Sequence, residues 1–288
     1  MAISDSAAAG LLARKPVARV AVHALLLTAS VMFAFPFLWM LSTSLKPIEQ
    51  ILSAPQGLWP TVPRFRNYAE ALRVLPFATY ALNSLIVCTL SALGTTLSSA
   101  LVAFSFTRLQ WPGRDLVFAL TLISMMVPFP VLMVPLYGVF KALGWVGTLK
   151  PLWLPAFFGN AFNIFLLRQF FLRIPKSLSE AMTLDGASEL AIFRHVYLRL
   201  SAAPLAVVAL FQITYSWNDF LGPLLFLTDQ RTFTLSLGLQ FYQSQHGGTA
   251  WHYLMAASVL TTVPIVLVFF FAQKALFRGL NMMRHLES

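Results

Sequence analysis

Residues 179–199 read SEAMTLDGASELAIFRHVYLR, a polar segment in a chain that is otherwise strongly apolar. Three of the ten acidic residues of the protein, Glu180, Asp185 and Glu189, lie in it, although charged residues make up only 10% of the sequence. We call residues 175–200 the island. Such a change of composition predicts a segment that works outside the apolar part of the protein.

The island carries helix-end signals on both sides of a glycine. Ser177 followed by Glu180 matches a capping box, in which two residues satisfy each other's backbone N–H groups at a helix start. Asp185 and Gly186 are typical of a helix end, because glycine enters the left-handed conformation at little cost. Ser188 can then cap a second helix. The pattern predicts a helix, a glycine corner and a second helix.

The rest of the sequence is apolar enough to predict a membrane protein. Of its 288 residues, 58% are hydrophobic and 26 are Phe. A helix needs roughly 17 to 25 mostly apolar residues to cross the bilayer, and the apolar runs lack the alternation of barrel strands. Six runs meet this length: residues 20–45, 74–107, 116–140, 151–167, 200–218 and 253–273. We therefore expect six transmembrane helices.

Basic residues are divided unevenly between the two sides of the predicted membrane. Alternate segments fall into two groups, residues 1–19, 108–115, 168–199 and 274–288 on one side and residues 46–73, 141–150 and 219–252 on the other. The first group holds about two thirds of the 20 Lys and Arg residues, and basic segments tend to stay in the cytoplasm. We expect both termini and the island in the cytoplasm. Membrane topology thus accounts for the net charge of +10 without nucleic acid.

The third apolar run contains MVPFPVLMVPLYG, residues 126–138. Pro128, Pro130 and Pro135 break or kink a helix, because proline lacks the backbone N–H and clashes with the preceding turn. A broken helix at membrane depth must be buried in protein or face an aqueous cavity. The prolines fit a transport path, and they fit packing alone.

The spacing within the island resembles the EAA loop of permease subunits of ATP-binding-cassette (ABC) importers. That loop reads EAA, three residues, G, nine residues, I, one residue and LP. Here Glu180 and Ala181 are followed at the same interval by Gly186. Val196 and Leu198 then stand where the loop has its Ile and Leu.

Two positions of the island depart from this loop, since Met182 replaces the second Ala and Arg199 replaces the Pro. From about residue 35 to 280, the sequence is similar to the MalG-like branch of carbohydrate permeases. The segments that carry the similarity are NSLIV (83–87), FTRLQWPGRD (106–115), VPLYGVFKALGW (134–145), NIFLLRQFFLRIP (163–175), WNDFLGPLLF (217–226) and QKALFRGL (273–280). The final NMMRHLES departs from the usual tail of this branch.

The resemblance implies an all-α membrane protein with six transmembrane helices and the MetI-like fold of type I importer permeases. It implies a second homologous permease subunit, two ATPase subunits and an extracytoplasmic substrate-binding protein as partners. The chain has no GxxxxGK[ST] phosphate loop, so we expect ATP and Mg to be used by the partner ATPase subunits. We expect no cofactor, metal or enzymatic activity in this chain. The implied substrate is a sugar or a related polyol or glycerol-phosphate compound.

The implied organisation is that of one permease domain in the cell inner membrane. Residues 1–19 form a cytoplasmic N-terminal segment, residues 20–280 the transmembrane permease domain with an EAA-type coupling loop at 175–200, and residues 281–288 a cytoplasmic tail. ATP binding would alternate the access of a central path to the two sides of the membrane.

The resemblance assigns the coupling role to residues of the island. They are Glu180, Ala181, Met182, Asp185, Gly186, Leu190 and Phe193. We expect Glu180 to act as a polar contact or cap at the docking surface and Gly186 as the corner. Leu190 and Phe193 are expected to form the apolar face that seats the second helix.

Polar residues in or at the ends of the predicted spans could line a translocation path or gate. They are Asn83, Asn160, Asn163, Gln212, Asn218 and Asp219. We expect the amides within the spans to form hydrogen bonds between helices and Asp219 to cap a helix end at the outer interface, with a path or gate role as the alternative.

Two other classes of function are less well supported by the sequence. A secondary transporter or channel normally has ionisable residues within its spans, and only His23 and Asp219 are candidates. A membrane enzyme would need a catalytic or metal-binding constellation. His246 and His252 share an outer segment but have no third ligand at a recognisable spacing.

Overall fold

The computed structural model describes the backbone of residues 16–54, 56–243 and 249–286, and side chains within residues 19–54, 56–243 and 249–273. Over these ranges the chain is mostly helical, and its only β-type pairing is an isolated bridge between Gln243 and Thr249. The all-α prediction is confirmed. Most of the predicted N-terminal segment, His246 and the side chains of the predicted tail lie outside the described residues.

The helices follow one another with short connections. In chain order they are α1 (Pro16–Ser44), α2 (Ile48–Ser53), α3 (Arg66–Val74), α4 (Phe77–Arg108), α5 (Arg114–Ser124), α6 (Phe129–Ala142), α7 (Lys150–Trp153), α8 (Ala161–Phe171), α9 (Lys176–Leu184), α10 (Glu189–Ile192), α11 (Leu198–Leu200), α12 (Ala202–Asn218), α13 (Leu221–Phe226), α14 (Leu235–Leu239) and α15 (Trp251–Leu286). Shorter turns of 3-10 helix occur at Leu154–Phe158, Gln230–Thr232 and Gln240–Tyr242, and a π-helical turn occurs at Phe193–Tyr197.

The described helices account for three to five of the six predicted membrane spans. Arg19–Ser44, Phe77–Arg108 and Trp251–Gln273 are each long and apolar enough to cross a bilayer. Two bent pairs, α5 with α6 and Glu189–Leu200 with α12, raise the number to five if each pair is one span. The number six stays a prediction.

The third predicted span is broken where its prolines indicated. Helices α5 and α6 meet at 103°, and Pro128 is the extended residue immediately before α6. Pro130 occupies the first turn of α6, where the missing N–H costs little. Pro135 lies inside the helix. One proline therefore separates the two helices, whereas the other two are accommodated within α6.

The expectation of one uninterrupted helix over residues 151–167 is wrong. Helix α7 passes into the 3-10 turn at Leu154–Phe158, which ends at Gly159 with a φ of 89°. Helix α8 begins only at Ala161. The periodicity of apolar residues could not reveal this break, because the residues on both sides of it are apolar.

Hydroxyl groups on α4 form hydrogen bonds with the backbone of the broken segment. Ser91 donates to the carbonyl of Leu152 at 3.3 Å, and Ser98 donates to the carbonyl of Ala156 at 3.2 Å. Ser99 accepts the backbone N–H of Asn160 at 3.2 Å. Irregular backbone at membrane depth is stable only with such partners, so the hydroxyl-bearing face of α4 explains why the interruption is tolerated.

The chain divides into two compact units by its internal contacts. The first comprises residues 1–71 and 243–259. In it, Asn67 donates to the carbonyls of Ser44 and Lys46 at 2.8 and 3.0 Å. The Lys46 side chain is buried, donates to the carbonyl of Gly57 and lies over the Trp39 ring. These contacts fold the segment after α1 back onto the end of that helix.

The second unit comprises residues 72–242 and 260–288, with α4 at its centre. One buried cluster joins α4 to α8 and to the island, and its members include Phe104, Phe171 and Tyr197. Another, around Tyr80 and Trp217, joins α4 and α12 to the segment at 227–237. The island is therefore attached to the core of this unit, next to one end of its central helix.

Candidate functional site

The corner of the island has the predicted backbone geometry. Helix α9 ends at Leu184, and Gly186 follows with a φ of 79°, in the left-handed region that favours glycine. Ser188 caps the second helix, since its hydroxyl accepts the N–H of Ala191 at 3.3 Å. We call α9 the first arm and residues 189–200 the second arm of the island.

The predicted capping box at the start of the first arm is wrong. The extended residue before the helix is Pro175, so that Ser177 is already the second helical residue and cannot serve as the cap. The Ser177 and Glu180 side chains are exposed, and Glu180 makes no hydrogen bond or ion pair with the described residues. A cap role for Glu180 is excluded in this conformation, and its carboxylate is open to a partner.

The second arm packs against the core through its π-helical turn and the residue before it. The buried side chains are Ile192, Phe193, Val196 and Tyr197. Phe193 and Tyr197 pack against the Phe104 ring of α4 with centroids 5.2 and 4.9 Å apart.

The expectation that Leu190 shares this seating face with Phe193 is wrong. Leu190 is 69% exposed, because the arm reaches its packing partners only from Ile192 onwards. The same end of the island exposes Leu184, at 90%. The corner therefore presents two large apolar side chains that nothing in the described chain covers.

The remaining predicted coupling residues divide between core and surface. Met182 packs against the cluster that contains Phe104 and Phe193, so the larger side chain at this position fills space beneath the first arm. Ala181 and Asp185 are exposed.

Arg108 belongs to this site, although the sequence analysis did not single it out. It is the last residue of α4, and its Nη2 donates to the Thr183 hydroxyl at 3.1 Å. The same nitrogen lies 3.6 Å from a carboxylate oxygen of Glu189. A basic residue at the end of a predicted span is typical of an anchor at the membrane interface. Its contacts with Thr183 and Glu189 could not be predicted from the sequence.

Asn83 binds backbone rather than a neighbouring helix. Its side-chain amide donates to the carbonyls of Arg231 and Phe233 at 2.9 and 3.0 Å. Ser84 next to it accepts the N–H of Leu235 at 2.8 Å. These residues hold the segment before α14 against α4, which is a structural role.

Asn160 and Asn163 lie at the start of α8, beside the break described above. The Asn160 side chain caps the helix by accepting the N–H of Asn163 at 3.1 Å. An interhelical bond through the Asn160 side chain was expected, and the capping bond takes its place. The Asn163 side chain is buried, and its oxygen has no hydrogen-bond partner among the described residues.

Gln212 forms the expected bond between helices. Its oxygen accepts from Thr95 of α4 at 3.4 Å, while its nitrogen donates to Ser216 one turn further along α12 at 3.0 Å. Asn218 is exposed and donates to the carbonyl of Thr214 in its own helix at 2.8 Å.

Asp219 caps a helix, but not the one that precedes it. Its carboxylate accepts the N–H of Gly222 at 3.1 Å, in the first turn of α13. Burial raises the pKa of this carboxyl, and the backbone N–H groups of Gly222 and Leu221 oppose that shift. A gate role was the alternative, and the capping bond accounts for the residue without it.

The polar residues predicted for a translocation path do not line the apolar cavity found in the second unit. That cavity has a volume of about 450 Å³ and lies between α4, α12 and α15. Its walls are apolar apart from the side chains of Cys88, Thr89 and Thr96, together with Trp217. None of the six predicted path residues contributes to it. A polar solute would find few hydrogen-bond partners there.

The part of the chain that is described also contains no group of three His, Cys, Asp or Glu residues arranged to hold a metal ion. His252, one of the two histidines considered above, lies at the start of α15 with its ring against that of Tyr253. Its placement offers no metal-binding arrangement within the described residues.

Comparison with known proteins gives matches over most of the chain. Residues 94–282 match the family model described as binding-protein-dependent transport system inner membrane component. The chain is 33% identical to the trehalose/maltose transport system permease protein MalG of Thermococcus litoralis over 86% of this chain and 89% of that protein. It is 35% identical to the diacetylchitobiose uptake system permease protein NgcG of Streptomyces coelicolor over 86% and 82%. It is 32% identical to the sn-glycerol-3-phosphate transport system permease protein UgpE of Agrobacterium fabrum over 92% and 97%.

A solved structure has the same fold. It is a chain of a bacterial ABC transporter involved in the import of the acidic polysaccharide alginate, and it matches with a TM-score of 0.79 over 90% of this chain and 98% of that chain. The sequence identity is 21%, so the likeness bears on the fold alone.

Proposed function

The chain belongs to the family of binding-protein-dependent transport system inner membrane components, and from this membership we propose that it moves a sugar, or a related polyol or glycerol-phosphate compound, across the membrane. It is a multi-pass permease subunit of an ABC importer and not an enzyme. The names of its relatives support the proposed substrate class, since they specify trehalose or maltose, diacetylchitobiose and sn-glycerol-3-phosphate.

The island is the proposed coupling element, and its exposed corner is the observation that carries this proposal. Leu184 and Leu190 are 90% and 69% exposed on either side of Gly186. Large apolar side chains grouped at one tip favour contact with another protein, whereas the other end of the second arm is buried in the core. A push on the tip would therefore reach the membrane helices through packed side chains.

The pushing partner is proposed to be one of two ATPase subunits, which use ATP and Mg. Closure of the ATPase dimer on ATP would carry the docked corner with it and open the path to the outside. ATP can favour that state only by the difference in its affinity between the two conformations. This chain binds neither ATP nor another cofactor in the mechanism proposed.

A second, homologous permease subunit is the proposed partner within the membrane. The most apolar stretch of the span Arg19–Ser44 is not buried at all within the described chain, so that helix is free to pack against this partner.

The proposed orientation places both termini and the island in the cytoplasm, and the distribution of basic residues supports it. An extracytoplasmic binding protein would then deliver the solute to the opposite face.

The test is reconstitution of the whole importer. The chain would be co-expressed with the second permease, the ATPase and the binding protein encoded beside it, and the solute retained by the purified binding protein would be identified by mass spectrometry. Liposomes containing the complex should take up that solute only with ATP and binding protein present. The chain alone should neither hydrolyse ATP nor transport. Uptake by the chain alone, without ATP, would instead establish a secondary transporter or channel.

A further inference from the structure

We propose that Arg108 is a positioning residue that ties the central membrane helix α4 to both arms of the island. The inference rests on the coupling role proposed for the island. It adds a polar contact through which a displacement of the first arm is passed to a membrane span, beside the packed side chains of the second arm.

The contacts of Arg108 bridge the glycine corner. Its Nη2 donates to the hydroxyl of Thr183, 3.1 Å away in the last turn of the first arm. That hydroxyl itself donates to the carbonyl of Ser179 at 2.8 Å, so it is held in place as an acceptor for Arg108. Glu189, 3.6 Å away, is the first residue of the second arm. One guanidinium thus contacts the residues on both sides of Gly186.

The two arms differ in how they are attached to the rest of the protein. The second arm is embedded in the core through Ile192 and Phe193. The first arm is largely exposed, and no side chain packs within 4 Å of the position that a Cβ of Gly186 would take. The bond to Thr183 therefore gives the exposed arm a direct connection to α4, independent of the path through the corner.

The geometry of the contact favours arginine over lysine. Nη2 makes both contacts, a hydrogen bond to the Thr183 hydroxyl at 3.1 Å and an ion pair with Glu189 at 3.6 Å, and a planar guanidinium holds this nitrogen in a fixed direction, whereas an ammonium acts as a point charge on a flexible stem. The Arg108 side chain is only 25% exposed, and its Nε–H is buried without a partner in the described chain. A lysine at this position would have no Nε–H to leave without a partner. If the position needed only a positive charge at the end of the span, lysine would therefore cost less than arginine. The arginine is explained by the two contacts of its Nη2.

The experiment uses the complete importer and compares four variants. Arg108→Gln and Arg108→Lys remove the guanidinium, and Arg108→Glu is combined with Glu189→Arg to reverse the ion pair. Arg114→Gln is the matched control, because Arg114 begins the helix after the same connection and, among the described residues, bonds only groups within residues 109–115. The measurements are co-purification of the ATPase and the ratio of ATP hydrolysis with and without the binding protein, as purified with its retained solute.

The expected result is uncoupling without loss of assembly. Arg108→Gln should lower the stimulation of ATP hydrolysis by about five- to tenfold, just below the range for a buried charge-assisted hydrogen bond, because the site is partly exposed. Arg108→Lys should be impaired as well, the reversed pair should recover part of the stimulation, and Arg114→Gln should match the wild type. Stimulation at the wild-type level in Arg108→Gln, or no recovery in the reversed pair, overturns the proposal.

A further pair of variants separates this proposal from the coupling role of the island. If Arg108→Gln fails to assemble, the combined variant Thr183→Val with Glu189→Gln removes the same contacts from the other side. Loss of stimulation in it supports the tether, and full stimulation overturns it. Gly186→Val is measured in parallel. If Gly186→Val stays coupled, the proposed role of the island fails, whereas if only the Arg108 variants stay coupled, the tether alone fails.

Discussion

Replacing Gly186 by valine should uncouple transport while leaving the importer assembled. Gly186 has a φ of 79°, and an added Cβ would meet no described atom within 4 Å. The cost of the substitution is therefore one of backbone conformation rather than of collision. A β-branched residue at positive φ is a genuine outlier, and the corner must either bear this strain or change its shape.

The magnitude follows from this distinction. A residue held in a sparsely populated backbone region costs about 1 to 3 kcal/mol, which changes an equilibrium by roughly 5- to 150-fold. That is enough to move the corner between alternative conformations. It is small beside the apolar burial that holds Ile192, Phe193 and Tyr197 in the core, so the second arm should stay seated and only the geometry of the tip should change.

The assay compares three substitutions in the reconstituted importer. Gly186→Asn should transport almost normally, because asparagine tolerates the left-handed region better than other side chains. Gly144→Val is the matched control, since Gly144 also has positive φ, at 68°, and also has open surroundings, but lies after α6 rather than in the island. ATPase co-purification should be retained in all three, while solute uptake and the response of ATP hydrolysis to the binding protein should fall sharply only in Gly186→Val.

Two results would refute this reasoning. Wild-type transport by Gly186→Val would mean that the corner does not depend on its left-handed residue. An equal loss of transport in Gly144→Val would mean that the effect reports general destabilisation of the chain and not coupling by the island.

Three further predictions follow from the same structure. A cysteine at Ser188 should be labelled by a membrane-impermeant maleimide only from the cytoplasm and one at Thr249 only from outside; reversed labelling in intact cells would invert the proposed topology. Gly238→Ala should lower the melting temperature, because its Cβ would lie 2.3 Å from the Tyr80 ring, and a thermal melt equal to that of the wild type would contradict this. Burial raises the pKa of Asp219 above its ordinary value of 3.8. The free energy of folding that is linked to the protonated carboxyl is therefore present below pH 3.8 and is lost as the pH rises through the raised pKa. Asp219→Asn should therefore keep the helix cap and melt no lower than the wild type at pH 7, whereas Asp219→Ala should lose about 1 kcal/mol of stability. If both variants melt at the wild-type temperature, Asp219 does not stabilise the protein as a helix cap.

The family and the glycine corner were predictable because each rests on local chemistry. The interval from Glu180 to Gly186 and on to Leu198 is a property of the sequence itself. Left-handed geometry follows from a glycine placed just after a helix, and it is found at Gly186. The break before α6 could be predicted for the same reason, since a proline acts on its own backbone.

The contacts of the site depend on partners that are distant in the sequence, and these were missed. Arg108 meets Thr183 across 75 positions of the chain, and nothing in the sequence near either residue signals the other. Asn83 was expected to bond a helix and instead holds backbone at Phe233. Leu190 has the spacing of a buried residue, yet its side chain is exposed because the packing of this arm against the core begins only after it. Periodicity gives the face of a helix, but it does not give the point along the helix at which packing begins.

The two faces of α4 should have different evolutionary histories. One carries Ser91, Gly94 and Ser98, and a Cβ at Gly94 would lie 2.4 Å from the Phe157 ring. The other exposes leucines such as Leu93 and Leu97, at 53% and 52%. In diverging lineages, large apolar residues should replace one another freely at the leucine positions, whereas the opposite face should admit little beyond alanine and serine, and only glycine at position 94. A saturation library of this helix, sorted for transport, should therefore show tolerance that rises and falls with every turn.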